Sequence, residues 1–542
     1  MTDALADTAG AGKNGAIVST LALVPFPADV AVRDAVPFVL SPDVVVAGDA
    51  EAVATLRALA ATRTGLALVK AADDEAADPV APAPAPRIAL TLDGGAAESY
   101  RLSSGEGGIT VAGADAAGLF YGIHTLVQLI ERHGDGWRVP AVQIADAPRF
   151  SYRGVMLDVA RHFHDVATVT AYIDRAASLK FNALHLHLTD DQGWRLELAS
   201  RPELTAAASA TSVGGDPGGF FTQDDYREII AHAARRHMIV VPEIDVPGHT
   251  HAVSLAYPEL SEPPVLSDHI REVVRDYGGD LPENGVAYDG MAVGFSSLKI
   301  HDEPTYAFLA DVFGELAALT PGPYLHLGGD EALGTAPADF ATFVTRASEI
   351  VAGLGKTPIA WHEAGAAAGL APGTIGQYWG FVTPTDGMDE KSRTFVRGGG
   401  RLILSPADAI YLDMKPHADA PIGLTWARGV TSVQRAYDWD PATVIDGVTD
   451  ADILGVEAPL WTETVRDLDD IDALAFPRIA AAAEAAWSPA AAGIAERTWE
   501  SFRARVGALA GLWRRAGIRF APLAEIEWAP EDSDEGAAPW RP

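Results

Sequence analysis

Residues 326–332 read His326-Leu327-Gly328-Gly329-Asp330-Glu331-Ala332, two glycines followed by two carboxyl side chains on adjacent positions. Residues without a Cβ let backbone and ligand approach closely. Neighbouring carboxyls drive their proton affinities apart, leaving one group protonated and one ionised, the division that acid–base chemistry needs. An Asp-Glu pair by itself is ordinary solvated surface; its company makes it a candidate. Other reactive or sugar-contacting residue types close a series of short apolar runs: Asp158 and Arg161, Asp190, then Glu243, Asp245 and His249. Further on come Trp361 and Glu363, Trp379, Tyr411 and Asp413, and Trp461 and Glu463. Carboxyls, an Arg, a His and tryptophans together suit an uncharged polyhydroxylated ligand, whose ring faces stack on Trp and whose hydroxyls bond to carboxylate and guanidinium. Glycosidic hydrolysis is the matching reaction: it needs an acid to protonate the leaving oxygen and a group that stabilises an oxocarbenium-like centre.

The elements that must position these residues are legible as apolar runs suited to buried parallel strands. They are Gly154 to Asp158, Ala183 to Thr189, Ile239 to Asp245, Tyr324 to Gly328, Pro358 to His362, Thr374 to Trp379, Arg401 to Ser405 and Ile453 to Trp461. Helical spacing separates them, as in Val169, Tyr172, Ile173, Ala176 and Leu179 behind a capping Asp165. Eight strands alternating with helices predict an α/β chain built as a (β/α)8 TIM barrel, in which chemistry gathers at the C-terminal strand ends. A doubly wound sheet is the weaker alternative, because no Gly-rich phosphate fingerprint follows any of these runs. Before the barrel, β-rich runs at Ala16 to Val24, Phe38 to Val46 and Arg87 to Leu92, with helices near Ala52 to Ala61 and Ala116 to Ile130, predict a smaller α+β domain. The expected division is 1–148 for that domain, 149–520 for the barrel and 521–542 for a C-terminal tail. The Pro/Ala/Asp-rich stretch 72–86 reads as a surface loop.

The chain has 542 residues, no cysteine and a formal net charge of -34. Without cysteine there are no disulfides, thiolate metal sites or Cys nucleophiles. A strongly acidic chain is a poor partner for nucleic-acid phosphate or anionic membrane, which require clustered Lys and Arg. No run reaches the length of a membrane span, and the acidic start MTDALADTAGAGKNG lacks the pattern of a secretory signal, so a cytoplasmic protein is the expectation.

Three segments carry a specific resemblance: Arg153 to Phe163 (RGVMLDVARHF), His185 to Trp194 (HLHLTDDQGW) and Pro242 to Thr250 (PEIDVPGHT). Together with the Gly-Gly-Asp-Glu turn, Trp361-His362, Gln377 to Gly380, Tyr411 to Asp413 and Leu460 to Thr464, they resemble the β-N-acetylhexosaminidases of glycoside hydrolase family 20. The resemblance implies a retaining mechanism in which the substrate's own 2-acetamido oxygen attacks the anomeric carbon. It further implies that Glu331 is the general acid and later base, that Asp330 orients the acetamido N–H, and that Tyr411 bonds the acetamido oxygen. Trp361, Trp379 and Trp461 would wall the pocket, Arg161, Asp413 and Glu463 would bind outer hydroxyls, and Asp190 with His249 would support the acid. Neither metal nor other cofactor is implied, and the partner is an oligosaccharide or glycoconjugate ending in β-N-acetylhexosamine, either GlcNAc or GalNAc. The first domain resembles the family's non-catalytic α+β domain.

Rival readings follow from the same residues. His185 and His187 alternate on one strand face and, with Asp190, could form an HxH metal site; core hydrogen bonding is the favoured account of them. A sugar-binding protein without catalysis would have no need for both Asp330 and Glu331, and a disaccharide-releasing relative would need a roomier pocket. Arg153 and Asp158 read as structural, Trp194 as packing rather than edging the cleft, Glu243 and Asp245 as holding loops, and Trp426 as either bordering the aglycone side or packing in the core. The stretch 261–291 is long for its connection and is expected to act on leaving-group preference from a catalytic-face loop.

Overall fold

The computed structural model describes residues 21–71, 87–491, 494 and 496–530. The stretch 72–86 and most of the run expected from Ala16 lie outside them, and residues 21–24 form no strand. Within the first domain, helices Ala50–Thr64 and Ala116–Leu129 pack on a seven-stranded sheet. The order across that sheet is Asp29–Val32, Val142–Asp146, Tyr100–Gly105, Gly108–Gly113, Arg87–Leu92, Val45–Ala47 and Val69–Lys70. Its helices start where the sequence supplies caps: the Asp49 side chain accepts from Glu51 and Ala52 N–H, and that of Asp115 from Gly118 N–H. The single run expected from Phe38 to Val46 is two strands, because Ser41-Pro42-Asp43 turns the chain into a different sheet.

Eight parallel strands then close a barrel: β1 (Tyr152–Asp158), β2 (Ala183–His187), β3 (Ile239–Glu243), β4 (Tyr324–His326), β5 (Thr357–Trp361), β6 (Ile375–Tyr378), β7 (Leu402–Leu404) and β8 (Ile453–Leu460). Strand β8 returns to β1, with Gly455 opposite Tyr152. Asp158 lies level with His187, His187 with Glu243 and Glu243 with His326, so the C-terminal ends of β1 to β4 form one rim. Helix Val166–Ser178, capped by Asp165, buries Val169, Tyr172, Ile173 and Ala176 against the barrel wall. Outward Leu184 and Leu186 join the main apolar core, while the inward histidines between them face carboxylates.

Arg153 couples the two domains. Its guanidinium donates to both Glu98 oxygens at 2.9 Å and lies over the Tyr121 and Trp487 rings. This bidentate pair, buried on the Arg153 side, fastens the base of β1 to the first domain.

Within the stretch expected as the C-terminal tail, Leu523 and Ile526 are buried in the main core. One expectation needs correction. The stretch 261–291 is not simply a loop, since it contains the helix Asp268–Tyr277, whose N-cap Ser267 accepts from Ile270 N–H. Ser267, then Ile270, Val273 and Val274 at helical spacing, is the sequence signal for it. No helix among the described residues is long and apolar enough to cross a membrane.

Candidate active site

Strand β4 ends at His326 and the chain turns sharply: Gly328 has φ 67°, Gly329 φ 99° and Glu331 φ 43°. A Cβ on Gly328 would fall 1.8 Å from Asp245 Oδ1, so the glycine makes room for that carboxyl. Asp245 Oδ1 in turn accepts the Gly329 N–H at 2.9 Å. The turn therefore holds Glu331, a non-glycine residue, in the left-handed region and points it into a cavity of about 320 Å³.

Asp330, Glu331, Tyr411, Trp379, Trp461 and Glu463 line this cavity, as do Arg161 and Trp426. Its aromatic frame is continuous: ring centroids lie 6.0 Å apart for Trp379–Trp426, 5.8 Å for Tyr411–Trp426 and 6.4 Å for Tyr411–Trp461. The Arg161 guanidinium covers the Trp461 ring at 4.7 Å. Trp361, Asp190, His249 and Asp413 lie behind this lining rather than in it. Trp361 is fully buried beneath Trp461, and its indole N–H donates to Glu243 Oε1 at 2.8 Å.

Behind the acids runs a chain of charges. Asp190, with no exposure, meets Arg161 Nη2 at 2.8 Å, His187 Nε2 at 2.7 Å and His249 Nδ1 at 3.1 Å. Burial alone would raise the Asp190 pKa, but Arg161, His249 and the imidazole contacts outweigh it and hold the carboxylate far below its ordinary range. His249 Nε2 sits 3.7 Å from Asp330 Oδ2 and 3.6 Å from Glu331 Oε2. Burial would favour neutral imidazole there; Asp190, Asp330 and Asp245 override it and push the His249 pKa well up. The surrounding carboxylates thus favour the imidazolium form of His249 between Asp190 and the paired acids.

Other carboxyls are pushed toward the neutral form. Burial raises Asp330, an effect His249 partly offsets, and burial with Asp330 beside it raises Asp245 further. Burial, then the neighbouring Glu463, lifts Asp413 well above the carboxylate range; Glu463 itself is raised by burial despite Arg161. Both Asp413 oxygens, Glu463 Oε2 and Asp330 Oδ1 are buried without a hydrogen-bond partner among the described residues. Such groups are costly unless a ligand satisfies them.

Glu363 is a residue that the sequence reading left without a role. It follows β5 and accepts the Trp379 indole N–H at 2.9 Å, fixing one wall of the cavity. Burial, with Asp330 and Glu331 nearby, pushes its pKa to about 8. No spacing rule joins it to Trp379; only the barrel brings β5 and β6 side by side.

His185 and His187 face carboxylates: His185 Nδ1 lies 2.9 Å from Glu457 Oε1 and His187 Nδ1 2.6 Å from Glu243 Oε2. His185, Glu243 and His326 are close enough to share an ion, as are Asp190, Asp191 and His249. Both His187 nitrogens already meet carboxylates, however, so the HxH pair does not present two free ligand atoms to one ion. Asp158 supports the rim, accepting from Ala160 and Arg161 N–H and from Thr462. Trp194 is buried, its indole donating to Leu196 O.

A parallel barrel whose C-terminal rim sets adjacent acids in a tryptophan-lined cavity defines the chain as a glycoside hydrolase. The glycosyl hydrolase family 20 catalytic domain matches residues 150–337 and 335–490, and domain 2 of the same family matches 20–147. The chain belongs to glycoside hydrolase family 20, and its function is that of a β-hexosaminidase. It is 39% identical to a β-N-acetylhexosaminidase of Cellulomonas fimi over 96% of this chain and 99% of that one. A solved family 20 β-N-acetylglucosaminidase is 64% identical, with a TM-score of 0.87 over 94% of this chain and all of that one. A mutant Streptomyces plicatus β-hexosaminidase, solved in complex with its product GlcNAc, is 41% identical with a TM-score of 0.82, covering 94% of this chain and 98% of that one.

Proposed function

We propose that the protein is an exo-acting, retaining β-N-acetylhexosaminidase that removes terminal β-linked GlcNAc, and GalNAc as a second substrate, from non-reducing ends by substrate-assisted catalysis. The observation that carries this is Asp330: a buried carboxyl with a free Oδ1, next to Glu331 and in one cavity with Tyr411. Asp330 accepts the acetamido N–H and Tyr411 donates to the acetamido oxygen, aligning that oxygen below the anomeric carbon. The oxygen attacks as the glycosidic C–O bond breaks, and Glu331 gives its proton to the leaving oxygen. An oxazolinium forms, its positive charge facing the Asp330 carboxylate, which neighbouring His249 stabilises against the effect of burial. Water then attacks the anomeric carbon, Glu331 takes its proton, and the ring reopens to the acetamide with retention.

Trp379 and Trp461 pack against the acetamido methyl and sugar ring, while Arg161 and Glu463, with Asp413 behind Glu463, bond the outer hydroxyls and close the inner end of the pocket. A closed inner end suits one terminal sugar. Hydrolysis of an aryl β-N-acetylglucosaminide, the matching glucoside and a β-linked disaccharide tests the reading, with and without EDTA. The acetamido sugar is cleaved, the glucoside is not, and EDTA changes nothing. Equal rates on both aryl substrates, or complete loss with EDTA, would sink it.

A further inference from the structure

The catalytic cavity does not end at the residues that hold the terminal sugar. Its outer wall is formed by His269, Val273 and Tyr277, together with Met291 and Val293. The first three stand at i, i+4 and i+8 on helix Asp268–Tyr277 and so form one stripe along it. That stripe is about 12 Å long at 1.5 Å per residue, enough to run beside two consecutive pyranose rings.

The helix is anchored rather than loosely attached. Ile270 packs with Tyr288, Ala292 and Phe295 in a small core of its own. The segment is tied to the barrel by Gln192 Nε2 donating to Gly290 O at 2.8 Å and His251 Nε2 at 2.8 Å from Val286 O, and is closed on itself by Val265 N–H donating to Phe295 O at 2.9 Å. Yet Tyr277 remains 64% exposed, and across the same cavity Trp426 is 48% exposed. Aromatic rings left in water at the rim of a sugar site are platforms for the apolar faces of further sugars.

Resting on the exo-hexosaminidase reading above, we infer that the His269–Val273–Tyr277 stripe is a leaving-group subsite that selects oligosaccharides of at least three β-linked sugars. The terminal residue occupies the inner pocket, the next passes Trp426 and Val273, and the third lies against Tyr277 with His269 bonding its hydroxyls. The occupant is the rest of the same glycan, because the stripe is continuous with the cavity holding Glu331.

The test compares kcat/KM on a β-1,4-linked GlcNAc trisaccharide with that on β-N-acetylglucosaminyl fluoride, whose leaving group is a single atom. In the double variant His269→Ala with Tyr277→Ala, the trisaccharide-to-fluoride ratio falls about tenfold, read mainly in KM. Arg271→Ala, on the solvent side of the same helix, keeps the ratio of the parent. A double variant with an unchanged or increased ratio overturns the subsite while leaving the hexosaminidase reading intact. A parent enzyme that cleaves neither substrate overturns both.

Discussion

Asp190 offers a prediction whose magnitude follows from the geometry. Replacing it by Asn removes a carboxylate that touches Arg161, His187 and His249 within 3.1 Å in a site without exposure. Unit charges 3.1 Å apart attract by about 5 kcal/mol at an effective dielectric of ~20, so His249 loses the first of the carboxylates that keep it charged. Stripping one member from a buried charged set costs roughly 3–5 kcal/mol of stability, because the partners stay buried and uncompensated. Asp190 has a depressed pKa, so its contribution is present above the ordinary value of 3.8 and is lost as pH falls below it. The stability gap between parent and Asp190→Asn therefore narrows in acid. Activity also falls: with less positive charge on His249, less offsets the burial that raises Asp330, and the acid limb of the pH–rate profile moves to higher pH. The expected loss in kcat is on the order of 10²-fold. Urea unfolding at several pH values with a pH profile of kcat reads both effects. Asp191→Asn is the control, since that neighbour is equally buried but bonds Ser296 and the His251 N–H, and burial already pushes it toward the neutral form. If Asp190→Asn kept kcat within a few-fold, or lost no more stability than Asp191→Asn, the role given to this charge chain would be wrong.

Glu363→Gln tests the raised carboxyl behind Trp379. Native Glu363 keeps its proton up to about pH 8, whereas an unfolded chain releases it near 4.5, so stability falls by at most about 1.4 kcal/mol per unit as pH rises between them. The Tm of Glu363→Gln should gain on the parent steadily across that window, and a constant difference would contradict the assignment. Arg153→Ala should cost ~3 kcal/mol by removing the Glu98 ion pair and leaving the buried Lys180 and Phe150 carbonyls without their donor at the domain junction. Calorimetry checks it, and a loss under 1 kcal/mol would mean that the pair is dispensable (about the value of a surface ion pair).

The barrel was legible because its strands are short, largely apolar and buried along their length, and end in polar or aromatic side chains; all eight expected runs overlap an observed strand. The paired glycines were legible as a close-approach turn, though what approaches Gly328 is the Asp245 carboxyl. Contacts made only by closure stayed hidden. His185 meets Glu457 across 272 residues of sequence, and Glu363 meets Trp379 through neighbouring strands. Trp361 and Trp379 look alike as tryptophans at strand ends, yet one is a buried prop bonded to Glu243 and the other a cavity wall; strand-end position alone does not separate them. Helix Asp268–Tyr277 left a readable signal in its Ser267 cap and apolar spacing, outweighed by the Pro and Gly residues on either side.

The central claim is that the substrate's acetamide is the nucleophile. Its most direct test is kcat/KM for aryl β-glucosaminides whose N-acetyl group carries no, one, two or three fluorines, each fluorine weakening the carbonyl oxygen as a nucleophile while the leaving group stays the same. Substrate assistance predicts that kcat/KM falls steeply and monotonically along the series. A flat series would place the nucleophile on the protein and contradict the account.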